Sequence, residues 1–340
     1  MKKVVIEGEG KAGVIDVTDP LAKEDWVVVK VHAAPMCTEY KGFLDGHPST
    51  TLGHEAAGEV VDVAQPGKVA VGDRVVVMPG YPCGICRLCL SGEYIHCEQM
   101  ADVGAFTKGG EGKATMAQYL LKPDWLLPRV ADSISFDHGS LACCGLGPSF
   151  GALNRMEVDA FDTLLITGLG PVGLGGVING VYRGARVIAV DSQPWRAQRA
   201  LDLGAEVALA PTVDTLETIC DLTDGQGVDK ALDCSGSVAA HRLCIDATRR
   251  RGRVAFVGEC SDDTLVRISP DMIRKGLTLV GSWHYNRRDA DAILQIIEEQ
   301  PTVMDQLISH TYAMTEVQQA FELQSTGDCA KVLLHPWEIS

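Results

Sequence analysis

The stretch from residue 161 to 281 alternates short apolar segments with stretches of helical periodicity, and this alternation constrains the fold most strongly. Strands that alternate with helices predict a parallel sheet covered on both faces, joined by right-handed crossovers. We predict strands at 163–168, 186–190, 206–210, 230–234, 253–258 and 277–282. This part of the chain should therefore form a doubly wound α/β domain.

A glycine-rich turn follows the first of these strands and opens a predicted helix that ends near Arg183. Its sequence is Gly168-Leu169-Gly170-Pro171-Val172-Gly173. Glycine makes up 36 of 340 residues, so the motif gains its value from the strand before it and the helix after it. In this context the glycines allow a tight turn, a close approach of backbone to pyrophosphate, and close helix–sheet packing. The turn predicts a dinucleotide site.

Asp191 ends the next strand, where a carboxylate accepts hydrogen bonds from ribose hydroxyls and repels a 2′-phosphate. We therefore expect NAD rather than NADP, although Arg196 is near enough in sequence to contact the adenosine end. The alternative reading of Asp191 is a capping residue in a structural turn. The segments 233–236 and 257–258 also follow strands and are further candidates for the nucleotide site.

Four cysteines, with two, two and seven residues between them, form a C-x2-C-x2-C-x7-C pattern. They are Cys83, Cys86, Cys89 and Cys97. Four thiolates at such spacing can complete a tetrahedral shell around Zn²⁺, and a closed shell predicts a structural zinc. The alternative is a set of unrelated reduced cysteines.

A second, open metal site is suggested by Cys37, His54 and Cys144. A zinc with three protein ligands keeps one position for a substrate and can lower the pKa of an alcohol. Spacing alone does not distinguish Cys143 from Cys144, and a single cysteine is often only a small buried hydrophobe. Glu55, directly after His54, is a candidate for a supporting contact or a transient fourth ligand.

Composition narrows the class of protein. A chain of 340 residues favours two domains, and its net charge of −15 disfavours nucleic acid and anionic membranes as partners. Its N-terminal apolar run is too short for a signal peptide, and no stretch approaches the roughly 20 apolar residues of a membrane span. With 12 cysteines and no sign of secretion, we expect a cytoplasmic protein with thiols or metal ligands rather than disulfides.

The remaining sequence is β-rich at first and helical near the end. Short β-branched runs predict strands at 27–31 and 74–78. Helical periodicity returns at 290–299 and 316–324, and the segment 332–335 is expected to form a strand that returns to the first domain.

Taken in order, these motifs resemble the zinc-containing medium-chain alcohol dehydrogenase family over essentially the whole chain. The matching elements are Cys37, Gly53-His54-Glu55-Ala-Ala-Gly58, Gly72-Asp73-Arg74-Val75, the four-cysteine segment, Leu141-Ala-Cys-Cys144-Gly, the glycine-rich turn and Asp191. The register of Cys144 in this resemblance favours it over Cys143. Polyol dehydrogenases of the family more often carry Glu as the third ligand, so Cys144 leans toward the simple alcohol branch.

The resemblance implies a GroES-like catalytic domain from residues 1–150 and 287–340, and a Rossmann NAD-binding domain from 151–286. It implies a zinc lobe at about 82–98, two Zn²⁺ ions per chain, NAD, a small alcohol or carbonyl substrate, and a homodimer or homotetramer. The expected reaction is reversible oxidation of a secondary alcohol, polyol, sugar or hydroxy amino acid.

One local departure concerns the proton path. The family usually has Cys-x-Ser/Thr-Asp, whereas this chain has Cys37-Thr38-Glu39, as if one residue were missing. Thr38 would then supply the relay hydroxyl and Glu39 the acidic group, with Lys41 where a His is common. The alternative for Thr38 is a helix N-cap.

Two other functions are compatible with parts of the pattern. Metal-free relatives reduce carbonyls or activated double bonds with NAD(P)H, but they lack the zinc cysteines and the histidine. A family member with an altered relay could also bind nucleotide as a sensing module without turnover.

Overall fold

The computed structural model describes residues 1–338, and the chain forms two compact units. The first unit combines Met1–Cys144 with the chain from Asn286 onward, and the second is Gly145–Tyr285. The second unit is therefore a continuous insertion into the first. Within residues 1–338, no helix is both long enough and apolar enough to cross a bilayer.

Fourteen strands are present in the described residues. They are β1 Lys2–Gly8, β2 Lys11–Asp16, β3 Trp26–Pro35, β4 Ala57–Asp62, β5 Arg74–Val76, β6 Tyr119–Pro123, β7 Thr163–Thr167, β8 Arg186–Val190, β9 Val207–Leu209, β10 Val228–Asp233, β11 Thr248–Phe256, β12 Thr278–Gly281, β13 Ile308–Ala313 and β14 Lys331–His335.

Twelve α-helices lie in the same range. They are α1 Glu39–Asp45, α2 Arg87–Leu90, α3 Val103–Phe106, α4 Phe136–Ser140, α5 Gly147–Met156, α6 Pro171–Tyr182, α7 Pro194–Asp202, α8 Thr215–Asp221, α9 Val238–Ala247, α10 Ala290–Glu299, α11 Pro301–Leu307 and α12 Val317–Thr326. Short 3-10 segments occur at Tyr94–His96, Asp124–Leu126, Arg287–Asp289 and Met314–Glu316, and a π-helical segment at Ile268–Arg274.

The second unit is a doubly wound sheet of six strands in the order β12-β11-β10-β7-β8-β9. All neighbours are parallel, which confirms the predicted α/β fold. If β7 to β12 are numbered 1 to 6 along the chain, their order in the sheet is 6-5-4-1-2-3. The direction in which successive strands are added therefore reverses between β7 and β10. In such sheets ligands bind outside the carboxyl ends of the strands at this reversal.

Local sequence explains how this sheet is covered. The apolar residues Leu164–Ile166 of β7 are fully buried, as expected for a strand packed on both faces. Helix α6 begins at Pro171, whose fixed φ suits the first helical position. Helix α5 packs on α6 at Gly175, where a β-carbon would lie 1.8 Å from the Gly145 carbonyl oxygen.

The first unit contains a mixed sheet in the order β13-β14-β3-β4-β5, with β6 also paired to β3. The predicted strand at 332–335 is confirmed as part of β14, which runs antiparallel to β3. Apolar side chains from β3, α1 and α12 form the core, including a stacked pair of Phe43 and Phe321 with ring centroids 5.1 Å apart. The C-terminal segment thereby completes the first unit beside the start of the chain.

Candidate metal centres and nucleotide site

The four cysteines of the lobe converge on one point. The Sγ–Sγ distances are 4.0 Å for Cys83–Cys89, 3.5 Å for Cys86–Cys89, 3.9 Å for Cys86–Cys97 and 3.6 Å for Cys83–Cys97. A tetrahedral zinc with Zn–S bonds of about 2.3 Å would hold its sulfurs about 3.8 Å apart. The donor set and its spacing therefore fit a closed zinc site.

Backbone amides support these sulfurs as thiolates. The Cys86 N–H donates to Cys83 Sγ, and the amides of Cys83 and Gln99 donate to Cys97 Sγ, each at 3.3 Å. Such hydrogen bonds favour the charged form of a thiol. At Cys86 the amide of Cys89 is the largest cause of a pKa lowered to about 6.

The lobe is tied to the C-terminal part of the first unit through Asn286. Asn286 Oδ1 accepts from the Ile95 amide at 3.2 Å, and its Nδ2 donates to Glu93 at 2.9 Å. Arg288 also binds Glu93, at 2.6 Å. These contacts hold the Tyr94–His96 turn, which leads directly into Cys97.

A second cluster lies elsewhere in the first unit and consists of Cys37, His54, Glu55 and Cys144. One ligand atom from each residue lies within 4.8 Å of the others. Cys37 follows β3, His54 and Glu55 precede β4, and Cys144 follows α4. Two thiols, an imidazole and a carboxylate are donors that zinc accepts, so this donor set fits an ion.

Cys143 and Cys144 point in different directions. Cys144 Sγ lies 3.2 Å from His54 Nε2, whereas Cys143 Sγ lies 3.5 Å from the Val77 carbonyl oxygen. The neighbouring cysteine thus packs against backbone, and Cys144 faces the cluster.

Gly53 explains how His54 reaches this position. Its φ is +85°, and a β-carbon there would lie 2.3 Å from Thr115 Oγ1. Thr115 Oγ1 accepts from the Glu55 amide at 3.2 Å, so the backbone on either side of His54 is held against one threonine. A side chain at position 53 would displace this turn.

Glu39 orients the histidine. Its Oε1 lies 2.9 Å from His54 Nδ1, and its Oε2 accepts from the Cys37 amide at 2.9 Å. Because the carboxylate accepts the Nδ1 proton, Nε2 keeps its lone pair toward the cluster. Thr38 stands at the N-cap of α1 without a capping side-chain bond, and it is exposed.

A buried ion pair lies behind the cluster, and the sequence pattern gives little warning of it. Lys331 and Glu55 are both fully buried, with Nζ 2.5 Å from Oε1, and Glu55 Oε2 accepts from the Cys144 amide at 3.0 Å. Lysine usually avoids the interior, so Lys331 in front of an apolar strand reads as an exposed strand end. Its only sequence signal is that it starts the strand returning to the first unit.

The surrounding charges suit a cation. Burial alone would lower the pKa of His54, but its hydrogen bonds to Cys37 and Glu39 and the charge of Glu55 raise it to about 11. Burial raises the pKa of Glu55 to about 7, against the opposing effect of Lys331. Burial also opposes the charge on Lys331, yet Glu55 and the two cysteines raise the pKa of this lysine. Positive charge on His54 and Lys331 is thus stabilised beside the thiols of Cys37 and Cys144.

In the second unit a cavity of about 440 Å³ opens at the carboxyl ends of β7, β8 and β10. Its lining includes Thr167, Gly168, Asp191, Ser192, Ser235 and Ser237. Gly168 has a φ of +80°, and a β-carbon there would lie 2.5 Å from the Ser235 amide nitrogen. The first glycine of the turn is therefore required by its conformation and by the close approach of a neighbouring loop.

Asp191 and Arg196 flank the glycine-rich turn. Asp191 accepts from the Leu169 amide at 2.5 Å and from the Gln193 amide at 2.8 Å, so it closes the turn as well as lining the cavity. The Arg196 guanidinium lies beside Gly170, since a β-carbon there would be 3.9 Å from Nη1. Arg196 Nε is buried with no acceptor among the described residues, which fits a missing anion such as phosphate.

Comparisons with known proteins agree with this geometry. The sequence models for the alcohol dehydrogenase GroES-like domain and the zinc-binding dehydrogenase domain match residues 23–132 and 171–299. A zinc-type alcohol dehydrogenase-like protein of Escherichia coli is 32% identical over 89% of this chain and 84% of its own length. The sorbitol dehydrogenase of Halalkalibacterium halodurans is 28% identical over 97% of both chains. The solved alcohol dehydrogenase TADH from Thermus sp. ATN1 aligns with a TM-score of 0.89 and 26% identity, covering 98% of this chain and 99% of its own.

A GroES-like unit and a Rossmann unit, with two cysteine-rich clusters in the first that could hold a metal ion, define a zinc-dependent dehydrogenase. The chain belongs to the zinc-containing medium-chain alcohol dehydrogenase family. Its cofactors are accordingly zinc and NAD, and its substrates are small alcohols or carbonyl compounds.

Metal content tests the choice between the adjacent cysteines. We expect two zinc ions per wild-type chain, and Cys144→Ser should lose one of them together with activity. Cys143→Ser is the matched control and should keep both, because its thiol faces backbone. Elemental analysis of the purified variants checks this, and zinc loss from the Cys143 variant alone would reverse the assignment.

The ion pair predicts a stability defect that a second change repairs. Lys331→Met should cost about 3–5 kcal/mol of unfolding free energy, because it leaves the Glu55 carboxylate buried without a counter-charge. Chemical denaturation of the metal-free protein measures this. The double variant Lys331→Met/Glu55→Gln should recover most of the loss, and a double variant as unstable as the single one would contradict the electrostatic explanation.

Two glycines of the turn should respond differently to one added methyl group. Gly173→Ala places its β-carbon 1.8 Å from the Gly168 carbonyl oxygen. It should lower the unfolding free energy of the nucleotide-free protein by at least about 1–3 kcal/mol. Gly170→Ala meets nothing closer than 3.9 Å, so it should fold normally and weaken NADH binding instead. Thermal unfolding and an NADH fluorescence titration separate the two effects; equal melting temperatures for both variants would contradict this view of the turn.

Proposed function

We propose that Cys37, His54 and Cys144 hold the catalytic zinc, and that Cys83, Cys86, Cys89 and Cys97 hold a structural zinc. The observation that carries this proposal is the convergence of the first three residues with Glu55, all within 4.8 Å. We further propose that the first unit is the GroES-like catalytic domain and that residues from about 151 to 286 form the NAD-binding domain.

Each side chain around the cluster then has a distinct task. A zinc held by Cys37, His54 and Cys144 would supply Lewis-acid polarisation of the alcohol oxygen, and a bound NAD would supply the hydride acceptor. Glu39 holds the imidazole of His54 in the tautomer that leaves Nε2 open for a metal. Glu55 is held by Lys331 on one oxygen and the Cys144 amide on the other, so it supports the cluster from its buried side. The Thr38 hydroxyl, exposed and next to Cys37, remains our prediction for the group that passes the alcohol proton outward.

The nucleotide contacts are proposed for the glycine-rich turn and the residues that flank it. Gly168, Gly170, Pro171, Val172 and Gly173 would present backbone to the pyrophosphate, with the N-terminus of α6 favouring its negative charge. Asp191 lies at the rim of the cavity, where a ribose hydroxyl can donate to it. The buried Nε of Arg196 would gain an acceptor from a nearby phosphate or from the adenosine ribose.

For the substrate we propose a secondary hydroxyl of a small polyol. The support is the full-length similarity to a sorbitol dehydrogenase, at 28% identity over 97% of both chains. Cys144 favours a simple secondary alcohol instead, because polyol dehydrogenases of this family more often use Glu at that position. A homodimer or homotetramer and a cytoplasmic location stay predictions.

A substrate panel tests the activity and the class. With NAD, the zinc-loaded protein should form NADH from polyols such as sorbitol and 2,3-butanediol, and at a lower rate from 2-propanol or L-threonine. Absorbance at 340 nm follows the reaction, and NADP should support it poorly.

The control is the same panel after treatment with a zinc chelator, which should abolish turnover. Simple alcohols as the better substrates would favour the alternative class indicated by Cys144. NADH binding without turnover of any substrate would instead favour a nucleotide-binding role, and turnover that resists the chelator would favour a metal-free reductase.

A further inference from the structure

The second unit contains a buried carboxylate that the proposed chemistry does not use. Asp233 ends β10, is fully buried, and accepts hydrogen bonds from several neighbours. The donors are Thr167 Oγ1 at 2.8 Å, Ser235 Oγ at 2.7 Å and the amides of Ser235 at 3.2 Å and Gly236 at 3.0 Å. His241 Nε2 also approaches the carboxylate, to 3.1 Å, but without hydrogen-bond geometry. A buried carboxylate is tolerated when its lone pairs are filled in this way.

Most of these donors belong to one turn, and that turn is a wall of the nucleotide cavity. Ser235 and Ser237 line the cavity, and Ser235 makes the close approach to Gly168 described above. Ser237 also caps α9, since its hydroxyl accepts from the Ala240 amide at 3.2 Å. The Asp233 carboxylate therefore sets the position of the turn against the glycine-rich motif.

His241 connects this carboxylate to a different loop. Its ring is 6% exposed, and Nδ1 lies 2.6 Å from Thr264 Oγ1 while Nε2 faces Asp233. Nδ1 and the Thr264 hydroxyl share a hydrogen bond whose direction depends on the tautomer of the ring, whereas Nε2 lies beside Asp233 without hydrogen-bond geometry. Phe256 contacts the ring edge-on at 5.1 Å and fixes its plane.

The loop held by Thr264 spans residues 257–267 and has no regular secondary structure. Its start is pressed onto the Ser235–Ser237 turn, because a β-carbon on Gly236 would lie 2.2 Å from the Glu259 carbonyl oxygen. Farther along, the loop is mostly exposed and is held by Thr264 and by a bond from Arg242 to the Leu265 carbonyl oxygen at 3.1 Å. The loop leaves the carboxyl end of β11, on the edge of the sheet where ligands bind.

We infer that His241 is a positioning residue of the nucleotide site. It lies in the first turn of α9, where its amide donates to the carbonyl oxygen of the cavity-wall residue Ser237 at 2.9 Å, and its ring holds the loop 257–267 through Thr264. The two segments then behave as one preorganised wall, and the nucleotide does not have to order them when it binds. An apolar side chain would fill the same interior space, but it would leave the Thr264 hydroxyl without this link. The inference rests on the proposed nucleotide site and deepens it.

Thr264 offers the sharpest test, since it is only partly buried and has two close substitutes. Thr264→Val keeps the shape and removes the hydroxyl, whereas Thr264→Ser keeps the hydroxyl and removes the methyl group. In the nucleotide-free protein, hydrogen exchange of amides in 259–266 and 235–237 should be faster in the valine variant and unchanged in the serine variant. The Kd for NADH, measured by fluorescence titration, should rise about threefold to tenfold for valine only, as expected for one lost hydrogen bond.

The outcomes separate this inference from the proposed function. Failure of the wild-type protein to bind NADH would overturn the nucleotide site itself. Normal NADH binding by wild type, with valine, serine and wild-type proteins alike in exchange and in Kd, would overturn the role of His241 alone. A serine variant as impaired as the valine variant would show that packing of the methyl group matters rather than the hydrogen bond, and would also overturn it.

A second variant addresses His241 directly. His241→Gln keeps a polar nitrogen near the Nε2 position beside Asp233 but has no nitrogen at the Nδ1 position, so it should lose the Thr264 link. It should therefore reproduce the valine phenotype, with a weaker NADH complex and little change in kcat. A loss confined to kcat, with NADH binding unchanged, would contradict a positioning role.

Discussion

The contact between Lys331 and Glu55 is the interaction on which the first unit most depends. It joins residues 276 positions apart, deep in the interior, and it stands directly behind the proposed catalytic zinc. A buried carboxylate next to two thiols would concentrate negative charge, and the ammonium group offsets part of it. The same pair also fixes β14 beside β3, because Lys331 begins the strand whose next residue, Val332, accepts from the Met36 amide at 2.9 Å. The residue that balances the charge of the proposed metal cluster therefore lies at the start of the strand that pairs with β3.

Much of the architecture could be predicted from the sequence, because its signals are local. The alternating segments of 161–281 indicate a parallel sheet, and the structure has a strand at each of the six predicted places. The four-cysteine pattern draws its strength from short spacing, and the glycine-rich turn from its position between β7 and α6. Such patterns can be recognised without the tertiary structure, because each involves only a few residues that are close in sequence.

The parts that could not be predicted depend on distant contacts. Lys331 looks like a solvent-exposed strand end, and only the pairing of β14 with β3 places it next to Glu55. The choice of Cys144 over Cys143 rested on resemblance, because the direction of a side chain in the turn after α4 is set by tertiary packing. The sequence predicts that Glu39 takes the acidic role, but its double contact with His54 and the Cys37 amide requires coordinates. Asp191 likewise combines two tasks, since closing the glycine-rich turn and facing the cavity both use one carboxylate.

The insertion of the second unit has a consequence for the order in which the molecule matures. A chain that emerges from its N-terminus exposes Cys37, His54, Glu55 and Cys144 early, and the continuous segment Gly145–Tyr285 can then fold as it appears. Lys331 is made only after the whole second unit. Until then the first unit lacks both β14 and the counter-charge of the proposed metal cluster. That cluster is thus completed only by the segment that follows the second unit, and a chain released before it would carry the proposed ligands without the strand that secures them.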